Sequence, residues 1–136
     1  MAPTAGRSRV LVVDDEESIR TFTQRVLRDA GYEVVLASDG PEALSLAETQ
    51  GPFDLFVIDV VMPHMMGNDL ARRLRARDPD MKALYFTGYS DRLFQEKSML
   101  WENEAFLEKP VPIDGLLEAV SLLLFGHMRG PRASAV

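Results

Sequence analysis

Five short apolar runs punctuate the chain: Val10 to Val13, Val34 to Ala37, Leu55 to Ile58, Ala83 to Phe86 and Ala105 to Leu107. They are too short for helices and rich in β-branched or aromatic residues, as strands buried on both faces are. Between them lie stretches of helical period. Ile19, Phe22, Val26 and Ala30 share one helical face, and Gly31 stands where a left-handed C-terminal cap belongs. Pro41 suits the first turn of a second helix whose apolar stripe is Ala43, Leu44 and Ala47. A third carries Leu70, Ala71 and Leu74 and stops before Pro79. A fourth stretch, Asp91 to Trp101, has a poorer stripe and reads as a short or mobile helix; the last, after Pro112, presents Leu116, Leu117, Val120, Leu123 and Leu124. Strands that alternate with helices run parallel and are joined by right-handed crossovers. The predicted fold is therefore α/β: a three-layer α/β/α doubly wound sheet of five parallel strands.

The 136 residues, 46% of them hydrophobic, suffice for one domain with a real core and leave no room for a second. Residues 1–8 and 126–136 read as tails without periodicity, flanking a domain at 9–125. A net charge of -6 gives no basic field to hold nucleic acid or anionic lipid. Arg72, Arg73, Arg75 and Arg77, at helical spacing, read as a solvated face. The lack of cysteine excludes disulfides and thiolate chemistry, and with no signal-peptide core and no long apolar run a cytoplasmic chain without a membrane partner is expected.

In open α/β sheets ligands bind beyond the carboxyl ends of the strands. The first strand runs out at Asp14 and Asp15, the third at Asp59, the fourth at Thr87, and the fifth shortly before Lys109. Two carboxylates about 5 Å apart repel by roughly 3 kcal/mol at an effective dielectric near 20, so three on one rim call for a cation. An all-oxygen set without His or Cys suits Mg²⁺, which commonly bridges carboxylate to phosphate. Thr87 would then hydrogen-bond a phosphoryl oxygen, and Lys109 would pair with it as a point charge. No nucleotide-cradling glycine motif is present. A carboxylate beside the metal can itself attack phosphorus, and Asp59, alone at the end of the third strand, is the candidate. Taken singly, Asp14 and Asp15 serve equally well as caps for the first helix, with Glu16 and Glu17 favouring its dipole, and Asp59 as a turn residue. Met62, Met65 and Met66 read as loop and core packing, and His64 and His127 have no partners in the pattern.

Together, the pair Asp14-Asp15, "LFVIDVVMPHMMG" with Asp59, "LYFTGYS" with Thr87, and "AFLEKPV" with Lys109 and Pro110 resemble the receiver domain of two-component response regulators over about residues 8–125. The resemblance implies a flavodoxin-like strand order 2-1-3-4-5, with Asp59 as phosphoacceptor. Mg²⁺ would be held by Asp14, Asp15, Asp59 and the backbone carbonyl of Val61. Thr87 and Phe106 would form the switch, and Lys109-Pro110 would be a cis peptide that aims the lysine inward. The phosphodonor would be a histidine kinase or a histidine phosphotransfer protein. Signalling would pass through the face made by Asp91 to Trp101, the last strand and the last helix to an unknown downstream protein, the chain being a monomer or weak dimer.

It would be no turnover enzyme, catalysing only its own phosphorylation and dephosphorylation. An acid-rich phosphohydrolase would carry a second acid where Val61 stands. No output domain is expected after the last helix, so the alternatives are a stand-alone receiver, a receiver segment of a hybrid histidine kinase, or a phosphate sink. Val61 and Tyr89 flank the path that donor and water take in the family, and neither readily positions water, so a long-lived aspartyl phosphate is expected.

Overall fold

The structure, a computed structural model, describes residues 7–88 and 103–126. Its elements are β1 (Arg9–Val13), α1 (Glu17–Asp29), β2 (Glu33–Ala37), α2 (Gly40–Gln50), β3 (Leu55–Asp59), α3 (Gly67–Arg77), β4 (Ala83–Thr87), β5 (Glu104–Glu108) and α4 (Ile113–Phe125). The expected helix over Asp91 to Trp101, the residue Tyr89 and most of both tails lie outside the described residues.

The five strands form one parallel sheet in the order β2-β1-β3-β4-β5. Side chains alternate across it. Val10, Val12, Val57, Leu84 and Phe86 face Leu27 of α1 and Leu116 and Val120 of α4. Leu11, Phe56, Ile58, Ala83 and Tyr85 face Ala43 of α2 and Leu70, Ala71 and Leu74 of α3. The strands outrun the apolar runs by a residue or two, because polar end residues such as Arg9, Glu33, Asp59 and Thr87 still pair in the ladder.

Local chemistry sets the helix ends. Asp39 caps α2 by accepting from the Glu42 amide at 2.9 Å, and the Glu42 carboxylate accepts in return from the Ser38 amide at 2.7 Å. Gly31 follows α1 with φ +100°, the left-handed conformation expected of it. In α1 the predicted stripe of Ile19, Phe22 and Val26 is only partly buried, while Thr23 and Leu27 are fully enclosed. Thr23, being polar, hid the true centre of that face.

The arginine cluster is corrected in one member. Arg72 pairs with Asp69 at 2.6 Å on the surface and Arg77 lies near Glu48, as a solvated face requires. Arg75 instead turns inward and ion-pairs with Glu104 at the start of β5, whose side chain is 5% exposed. The Tyr85 hydroxyl donates to the same carboxylate oxygen at 2.7 Å. Burial, with the charge of Glu104, pushes the Tyr85 phenol well above its ordinary pKa.

Gly67 fixes the start of α3 against the end of β3. Its amide donates to the Val60 carbonyl at 2.7 Å, and a Cβ there would sit 2.4 Å from the Asp59 carbonyl oxygen. That backbone oxygen cannot swing aside as a flexible side chain would. Gly67→Ala is expected to lower the unfolding free energy by about 1–3 kcal/mol, measured by chemical denaturation.

Candidate functional site

Three strand ends deliver the acids. Asp14 follows β1 and is 1% exposed, Asp59 closes β3 at 4%, and Asp15 is open to solvent. One carboxylate oxygen from each lies within 4.8 Å of the others. Lys109, just past β5, reaches in among them: its Nζ lies 3.4 Å from Asp14 Oδ2, 3.4 Å from Asp59 Oδ1 and 3.3 Å from Glu16 Oε1. The Lys109 amide donates to the Thr87 carbonyl at 2.7 Å, which seats buried Thr87 on the same rim. The Lys109-Pro110 peptide is cis. Val61, 47% exposed, follows Asp59 by two residues. Phe106 lies further down β5, its ring 5.2 Å from that of Tyr85.

Asp14 is the most constrained of the acids. Its amide donates to the Ala37 carbonyl at 3.2 Å, and its Oδ1 accepts from the Glu16 amide at 2.9 Å. Its Oδ2 is buried with no hydrogen-bond partner; Lys109 stands within ion-pair reach but not in hydrogen-bonding geometry. A buried carboxylate oxygen left over in this way, beside two further carboxylates and, among the described residues, no imidazole, is a donor set that fits a small hard divalent cation.

The electrostatics bear out the repulsion read from the acids. Burial first, then the charge of Asp14, pushes the Asp59 carboxyl up to about 7, with Lys109 opposing. Burial also raises Asp14, against the Glu16 amide and Lys109. For Lys109, burial disfavours the charge, but the fields of Asp14 and Asp59 outweigh it and leave the ammonium above its ordinary pKa.

Two residues near the acids escaped the sequence reading. Glu16, assigned only to the helix start, makes no capping bond with its side chain and holds Lys109 instead. Arg20, inside α1, donates from Nη1 to the Asp14 carbonyl at 2.7 Å. Their spacing of four residues, which stacks them on one helical face, was the available signal.

The fold and this rim of acids beside a lysine define a doubly wound α/β domain with an acidic site at the carboxyl ends of its strands, and the comparisons give the family. The response regulator receiver domain family matches residues 10–121. The sensor kinase CckA of Brucella abortus is 37% identical over 121 residues, covering 88% of this chain but 13% of that protein. The response regulator receiver protein CpdR of the same organism is 32% identical, covering 85% of this chain and 96% of that one. The chemotaxis protein CheY4 of Vibrio cholerae superposes with a TM-score of 0.80 at 32% identity, covering 88% of this chain and all of that one. This chain belongs to the response regulator receiver family. It spans less than half the length of several of its relatives.

Because the folded pKa of Asp59 lies above that of an unfolded aspartate, its protonated form favours the fold. That contribution is complete below about pH 4 and is lost as pH rises toward 7. In metal-free buffer, Asp59→Asn is therefore expected to stabilise the protein, and by about 2 kcal/mol more at pH 8 than at pH 5. Guanidinium denaturation at the two pH values measures this; a gain independent of pH would contradict it.

Proposed function

We propose that the chain accepts a phosphoryl group on Asp59 from the phosphohistidine of a histidine kinase or a histidine phosphotransfer protein. An Asp59 carboxylate oxygen attacks phosphorus, the P–N bond breaks, and the electron pair leaves with the imidazole, which takes up a proton. The observation that carries the reading is the placement of Asp59 beside Asp14, Asp15 and Lys109 at the carboxyl rim of the sheet.

Asp14, Asp15, Asp59 and the Val61 carbonyl are the residues that would hold Mg²⁺. When bound, the metal supplies charge neutralisation at the phosphoryl oxygens. Lys109, already within 3.4 Å of Asp59, pairs with the incoming phosphoryl group, and the Thr87 hydroxyl hydrogen-bonds one of its oxygens. Thr87 and Phe106 then act as the switch, altering the surface of β5 and α4, which a downstream protein reads. The receiver unit is residues 9–125, and its chemistry is confined to its own phosphorylation and dephosphorylation. The 37% identity to a sensor kinase supports a second arrangement, a receiver attached to or descended from a hybrid kinase.

Incubation with Mg²⁺ and acetyl phosphate is expected to add one phosphoryl group by intact mass. Asp59→Asn should abolish the adduct; an adduct that persists in the variant would overturn the assignment. Val61 exposes an apolar side chain beside the acceptor, where an amide would orient water. Val61→Asn is expected to speed autodephosphorylation several-fold, followed by loss of radiolabel, and an unchanged rate would refute the role given to Val61.

A further inference from the structure

We propose that Arg20 is a positioning residue for the divalent cation, acting through the backbone between the two metal-binding acids; this rests on the function proposed above. The Arg20 guanidinium donates from Nη1 to the Asp14 carbonyl at 2.7 Å. That carbonyl belongs to the planar peptide unit that joins Asp14 to Asp15. Holding the oxygen fixes the whole plane, and with it the direction in which Asp15 leaves the chain.

The remaining groups of Asp14 are held by other elements. Its amide is tied to Ala37 at the end of β2, and its Oδ1 to the Glu16 amide. Arg20 is the third anchor, and Oδ2 is left over, buried and without a hydrogen bond, toward the acid cluster. Without Arg20 the Asp14-Asp15 peptide is free to rotate against the mutual repulsion of its two carboxylates.

Helix stability does not account for an arginine at this position. α1 begins at Glu17, so Arg20 lies in its first turn, where a positive charge opposes the helix dipole. Its charge also works against cation binding, since a guanidinium near the acids repels Mg²⁺. Charge and positioning therefore predict opposite signs when Arg20 is removed, and this makes the assignment testable.

Isothermal titration of the full chain with MgCl₂ alone, at pH 8, decides between them. Arg20→Met is expected to weaken Mg²⁺ binding by about tenfold, as loss of outer-shell support for metal ligands does. Arg20→Lys, whose ammonium can donate to the same carbonyl, is expected to recover most of that loss. Circular dichroism confirms the fold of each variant, and Arg20→Gln carries the same expectation if the methionine variant does not fold. Mg²⁺ binding to Arg20→Met that is as tight as, or tighter than, wild type overturns the positioning role while leaving the metal site standing. Absence of Mg²⁺ binding by the wild-type chain overturns both.

Discussion

Asp14 and Asp59 are buried together at the end of the sheet and share one ammonium, Lys109, which lies 3.4 Å from each. Burying carboxylates is unfavourable: burial is the largest cause that raises the pKa of both acids, and the charge of Asp14 adds to it at Asp59. The surrounding structure is arranged to hold them. Gly67 clamps the end of β3 against α3, Arg20 and the Glu16 amide fix Asp14, and the Thr87 carbonyl fixes the backbone of Lys109. Under the function proposed above, a bound cation and phosphoryl group would recover the stability given up in the acid cluster.

The other end of the same sheet face carries a different charge network. Tyr85 and Phe106 are opposite one another in the β4-β5 ladder and their rings are in contact. One step down, Glu104 accepts from Tyr85 and pairs with Arg75 of α3. A column of side chains thus runs from Thr87 at the rim, past the two rings, to a half-buried ion pair. Phe106 has no hydroxyl, so its position is set by packing, and the ring it packs on is held by the carboxylate beneath. The network therefore bears on the turning proposed for Phe106.

The strands were legible because a parallel sheet covered on both faces needs uninterrupted apolar residues, and only their polar ends went unread. The rim acids were legible for a topological reason: parallel strands put all their carboxyl ends on one side, so Asp14, Asp15, Asp59, Thr87 and Lys109 had to meet. Arg75 was not legible, because its partner lies 29 residues away and nothing in the helical pattern distinguishes it from Arg72 or Arg77. The spacing of Glu16 and Arg20 put them on one helical face but did not show what they act on, a lysine ammonium just past β5 and a backbone carbonyl.

Lys109 and Thr87 are joined by a 2.7 Å backbone hydrogen bond, which limits how the proposed switch can work. The two strand ends cannot separate without breaking that bond, so a phosphoryl group drawing on both residues has to be accommodated by side-chain rotation within a fixed frame. In that proposal Lys109 would exchange partners, since Glu16, which also holds it, is exposed and can be rehydrated at little cost. Thr87 has no such freedom: it is fully buried, so rotation of its hydroxyl toward the rim has to be matched by movement of what packs beside it on that face. The aromatic pair Tyr85 and Phe106 lies there, with the Tyr85 hydroxyl tied to Glu104. In the proposed switch, a displacement of Thr87 would therefore press on this pair and so on β5, which packs against α4.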